Sequence, residues 1–142
     1  MQIKNVINFS GHPLSKTVIK ELEDDGCVVE TLSVGVDLKG SLADQIRKLV
    51  DSVKTIPVDG TVPFAITLPG LSEITAFVLA EIHGRTGFFP KILQIRKGRL
   101  GTFEIATFSH QENLEPGVVD LEWVRIKARG RRFKRGGKET VA

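Results

Sequence analysis

Apolar positions along this chain fall into two alternating patterns. Short runs dense in Val, Ile and Phe are followed by stretches where apolar residues recur every three or four positions. Residues 3–9 (IKNVINF) are the first short run. They predict a strand apolar enough for the interior of a sheet. A turn at Ser10-Gly11-His12-Pro13 follows. Ser15 is placed to N-cap a helix over 16–25, with Val18, Ile19 and Leu22 facing inward, and Gly26 ends it. Residues 27–34 predict a second strand. Ser41 then leads into a second helix over 42–53, with Leu42, Ile46, Leu49, Val50 and Val53 on its inner side.

The stretch 61–90 organises the rest. Residues 62–68 read as a buried strand, with Pro63 tolerated at its start. Pro69-Gly70 breaks the run. Ser72 and Glu73 open a helix that carries Ile74, Phe77, Val78 and Ile82 at helical spacing. His83-Gly84 is expected to close it, with Gly84 as the left-handed C-cap. Residues 92–96 and 103–108 predict two further strands, joined by a hairpin-like loop over 97–101. Residues 118–128 predict a last helix with Val119, Trp123 and Ile126 on one face, ended by Gly130. The alternation predicts one α/β domain over 1–129. It is a three-layer fold with a mainly parallel central sheet between helices. A basic tail over 130–142 follows.

Length and composition add bounds. A chain of 142 residues suits one domain with a real core, and 41% hydrophobic with 26% charged residues is ordinary for a soluble protein. No apolar run reaches bilayer length. The first residues enter a strand pattern without signal-peptide architecture. The single cysteine, Cys27, sits in an apolar run and reads as a small core residue. A cytoplasmic protein is the expectation. The net charge of +3 conceals an asymmetry, because residues 125–138 hold eight basic side chains and no acid. Such a segment points to a polyanionic partner, or is a solvated terminus.

Candidate chemistry follows from the expected topology. Ligands of open parallel sheets sit beyond the carboxyl ends of the strands, where strand order reverses. If the first strand is central, two small-residue loops meet there. One holds Asn8, Phe9, Ser10, Gly11 and His12. The other holds Pro69, Gly70, Leu71 and Ser72. Both offer hydroxyls and open N–H groups for phosphate. Arg85 and Thr86, flanked by glycines, suit a phosphate clamp, although their loop starts at the far end of its helix. His83 reads as a helix C-cap, Trp123 as helix packing, and Lys97 and Arg99 as solvated. No CxxC pair, HExxH motif, Walker loop or GxGxxG follows any strand. Metal, hydride and acyl-transfer chemistry are disfavoured, and neither a metal nor a cofactor is expected.

The segments NFSGHPLS, LVDSV, LPGLSEITAFVLAEIHGRTGFFP and VVDLEWVR together resemble a small CRISPR-associated Csx-type family of type III systems, conventionally numbered fifteen. The resemblance covers residues 5–129. Gly11, between Ser10 and His12, departs from the family pattern. The resemblance implies a stand-alone Rossmann-like (CARF-like) domain that binds cyclic tetra-adenylate. It implies a homo-oligomer, with two surfaces sandwiching one ring. The expected function is to lower the messenger's free level by sequestration in antiviral signalling. The alternative is a metal-independent ring nuclease, with Ser10 and His12 assisting attack of a ribose 2′-hydroxyl on its own phosphate. A reading from another class is a nucleic-acid-binding accessory protein acting through the basic tail.

Overall fold

The computed structural model describes residues 3–111 and 114–136. Its elements are β1 (Asn5–Asn8), α1 (Lys16–Asp24), β2 (Val28–Thr31), α2 (Leu42–Asp51), β3 (Ala65–Thr67), α3 (Ser72–Thr86), β4 (Lys91–Leu93), β5 (Ile95–Lys97), β6 (Phe103–Ile105), β7 (Val118–Asp120) and α4 (Leu121–Gly136). Five strands form one sheet in the order β2-β1-β3-β4-β7. The first four are parallel, and β7 runs antiparallel to β4 with Asp120 opposite Lys91. The strands β5 and β6 form a separate antiparallel hairpin.

Strand alternation explains the layers. On β1 and β3, Ile7 and Ile66 face one side, while Val6 and Ala65 face the other. Helices α2 and α3 cover the first side through Ile46, Val50, Ile74, Val78 and Ile82. Helix α1 covers the second side through Val18 and Leu22, and the hairpin joins it through Ile105. Burying each such side chain contributes about 1.5–3 kcal/mol. Ser15 and Ser41 N-cap α1 and α2 by accepting from Val18 N–H and Asp44 N–H. Cys27 is buried, and burial pushes its thiol up. Among the described residues, no helix is long and apolar enough to cross a membrane.

Four local expectations are corrected. Helix α3 does not stop at Gly84 but runs to Thr86, and Gly87 (φ 86°) is the C-cap, its N–H donating to His83 O at 2.8 Å. Side-chain bonds hold that extra turn: Arg85 Nε donates to Glu81, and Thr86 Oγ1 donates to Ile82 O. The strand expected over 92–96 is split at Gln94. Its N–H donates to Gly117 O and its carbonyl accepts from Ala106 N–H, which turns the chain out of the sheet. Residues 118–120 are strand, not helix. Asp120 ends that strand because its Oδ1 accepts Trp123 N–H and so N-caps α4. Finally, α4 passes through Gly130 and reaches Gly136. A helical glycine costs only about 1 kcal/mol, and the surrounding Arg and Lys are good helix formers. The boundary expected at 129/130 thus falls inside a helix, and residues 137–142 of the expected tail lie outside the described residues.

Gly117 fixes how the hairpin meets the sheet. Its φ is 82°, and an added Cβ would stand 2.6 Å from Ile105 Cγ2 and 2.8 Å from Ala106 O. Gly117→Ala is expected to lower stability by about 2 kcal/mol, through left-handed strain and displacement of backbone. A denaturant midpoint that matches the parent protein would show that the hairpin yields at no cost.

Candidate functional site

Strand β1 lies between β2 and β3, so the chain winds outward in both directions from it. The carboxyl ends of β1 and β3 are therefore the switch point of the sheet. Asn8 closes β1 there, with 0% exposure. Its Nδ2 donates to His12 O at 2.7 Å and to Thr31 Oγ1 at 3.3 Å. Its Oδ1 accepts from Ser10 N–H at 3.0 Å and from Thr67 Oγ1 at 2.6 Å. One amide thus uses both donors and two acceptor sites to tie β1, β2, β3 and the β1–α1 loop together. The bond to Ser10 is a local turn of the kind that Asn favours. Ser10 Oγ continues it, donating to His12 O at 2.9 Å and accepting from His12 N–H at 3.2 Å.

A groove of about 490 Å³ opens beside this hub. The β1–α1 loop forms one wall through Ser10, His12 and Leu14. Thr67, Leu68 and Pro69 lie at the end of β3, and Gln94, Arg96 and Phe103 come from the hairpin side. Ser15 Oγ donates to Phe103 O at 3.3 Å and joins the two walls at one end. The lining is more apolar than polar, with exposed Phe103 as an aromatic surface. Arg96 and His12 supply the basic groups. The Arg96 guanidinium lies 5.9 Å from the Phe108 ring centre. Gln94 Oε1 is buried with no hydrogen-bond partner among the described residues. Its chemistry fits a ligand donor such as an exocyclic amine or a hydroxyl.

The structure brings together only part of the expected site. Ser10, His12 and Pro69 line the groove. Gly11 sits beside them at φ 83°. Asn8 is a saturated buried scaffold rather than a ligand contact. The Phe9 side chain is at 0% exposure in the core under α2 and α3, because strand alternation turns it away from the groove. Gly70, Leu71 and Ser72 lie at the start of α3, outside the lining. Leu71 N-caps that helix with no side-chain bond, and Glu73 places a carboxylate in its first turn.

Arg85 and Thr86 are displaced altogether. Arg85 bonds Glu81 at 2.6 Å, Asp51 at 2.8 Å and Arg47 O at 3.0 Å, so it clamps α3 to α2. Burial disfavours its charge, but the two carboxylates outweigh that and raise its pKa. Thr86 Oγ1 is shared between Ile82 O and Phe88 O. Gln94, Arg96 and Phe103 join the groove although the sequence did not single them out. Across the hairpin Arg96 stands opposite Glu104 and Phe103 opposite Lys97, so Arg96 and Phe103 lie on opposite hairpin faces and no single alternating pattern marks them as one lining.

No protein-family model, curated protein or solved structure matches the chain.

Two outcomes check this assignment. Asn8→Ala leaves the Thr67 hydroxyl and the Ser10 N–H without their acceptor, and is expected to cost about 3 kcal/mol. Chemical denaturation reads it, and a loss below a few tenths would remove Asn8 as the hub. Arg85→Ala is expected to cost only about 1 kcal/mol, since its partners are partly exposed.

Proposed function

We propose that this chain is a Rossmann-like, CARF-like nucleotide-binding domain. It takes cyclic tetra-adenylate in the groove at the β1/β3 switch point and lowers the free level of that messenger by holding it. The carrying observation is the groove itself, with hydroxyls of Ser10 and Thr67 near its base, an apolar wall at Leu14 and Phe103, and Arg96 and His12 for charge. Apolar walls suit adenine faces, and an arginine suits a phosphate in charge-assisted contact. A ring of four nucleotides is larger than the drug-sized ligand that such a volume encloses. The remainder of the ring is then covered by a second copy, which makes the working form a homo-oligomer. The likeness of the segments around Ser10, Pro69 and His83 to the Csx-type family supports the same ligand.

Holding the ring is favoured over cutting it. Ser10 Oγ is already committed to both His12 backbone groups. Among the described residues, no hydrogen bond orients the His12 imidazole, whereas an efficient acid–base pair needs its base positioned. A bound, uncut ring follows from a groove that offers contacts without a proton-transfer couple.

The test mixes purified protein with labelled cyclic tetra-adenylate in metal-free buffer, and compares a native gel with a denaturing product analysis. The expected result is a shifted, intact ring. A cut ring would assign a ring nuclease, and neither shift nor cut would overturn the nucleotide reading. Arg96→Ala is expected to weaken binding about 10–100-fold, as loss of a charge-assisted phosphate bond does. Arg85→Ala is expected to bind like the parent protein.

A further inference from the structure

Helix α4 has an unusual surface. It starts against the sheet, where Leu121 packs on the core and Glu122 accepts Phe89 N–H at 3.1 Å. Beyond that anchor every residue from Ile126 to Arg132 is exposed. From Lys127 to Arg132 the sequence is KARGRR. Only Ala128 and Gly130 interrupt the basic side chains. The sequence of the last turn adds Lys134 and Arg135.

The cations form two rows. At about 100° per residue, Trp123, Lys127 and Arg131 recur every four positions on one side. Lys127 Nζ lies 5.4 Å from the Trp123 ring centre. Arg125, Arg129 and Arg132 fall on a second side, roughly 150° round the axis by the same helical spacing. Ala128 leaves a shallow cleft among them. Arg125 is partly neutralised, since it pairs with Glu122 at 2.6 Å. Arg125, Arg129 and Arg132 on one side and Lys127 and Arg131 on the other all stand at least partly at the surface of one rod.

We infer that α4 is a binding element for duplex DNA, entering the major groove so that its two basic rows face the two phosphate backbones. A helix is about 10–12 Å across, and the major groove of B-form DNA is about 12 Å wide. A rod with cations on both flanks fits that channel, and its exposure all round leaves room for the groove walls. Phosphate contacts of this kind give sequence-independent affinity. The major groove of A-form RNA is too narrow for the same insertion. A membrane surface fits poorly, because such helices need a continuous apolar face and α4 has none past Ile126.

The experiment is fluorescence anisotropy with a short, mixed-sequence duplex DNA, in the absence of any cyclic nucleotide. Affinity is expected to fall about 10²-fold between roughly 50 and 200 mM salt, with a log–log slope near −0.9 per phosphate contacted. Lys127→Gln combined with Arg131→Gln, both at exposed positions, should reduce that slope by about two. The same variant should shift cyclic tetra-adenylate as the parent protein does, so the two readings stand or fall separately. No duplex binding at low salt, or an unchanged slope in the variant, would overturn the inference. Equal affinity for duplex RNA or for polyglutamate would replace groove insertion with a general polyanion patch and overturn it too.

Discussion

The architecture at the carboxyl edge of the sheet depends on a single saturated amide. Asn8 is wholly buried, and its four hydrogen bonds reach two neighbouring strands and two points of the following loop. Few side chains can replace it. An aspartate would present acceptors to His12 O, and a leucine would strand every partner. The geometry also sets a direction. Asn8 and Thr67 face the α1 side, so the amide that locks the strands also supports the groove beside them. Residues one step away on the same strands, Ile7 and Ile66, are hydrophobic because they serve the opposite layer.

The groove has two unlike walls. The β1–α1 loop is braced by Asn8 and by the Ser10 turn. The other wall is a two-stranded hairpin, a form only marginally stable on its own. It is held through Gln94, whose backbone links Gly117 and Ala106, and through the Ser15–Phe103 bond. Small differences in that hairpin therefore set the width of the groove, while the strand ends keep their place.

Much of this was legible from periodicity. Apolar runs flanked by Pro and Gly marked β1, β2 and β3, and capping serines marked α1 and α2 within a few residues. The convergence of the β1 and β3 loops followed from placing an apolar first strand inside a parallel sheet. The failures have physical causes. Arg85 between glycines looked like an anion clamp, but Glu81 one turn back on α3 holds it, and Asp51 comes within reach once α2 packs beside α3. Phe9 ends the strand predicted over 3–9 and was also placed in the ligand loop, yet strand alternation sends its side chain into the core. Residues 118–120 share their apolar spacing with the α4 residues after them, and only the Asp120 cap separates strand from helix. Gln94, Arg96 and Phe103 join the site through long-range contacts that no local pattern encodes. Gly130 looked like a stop, and the residues around it carried the helix past.

The reversed direction of β7 has a consequence for how the molecule meets its surroundings. Because Asp120 lies opposite Lys91, the chain leaves the sheet at the end away from the groove, and α4 begins there. The molecule is thus two-ended. Occupants of the groove and of the helix would not compete for space, and neither would need the other to leave. The two ends are joined by β4, which carries Gln94 just beyond one end and pairs with Asp120 at the other, and by β7 beside it. Any influence between them is a coupling free energy, equal in both directions, so whatever tightens one end for its occupant must be tightened in return.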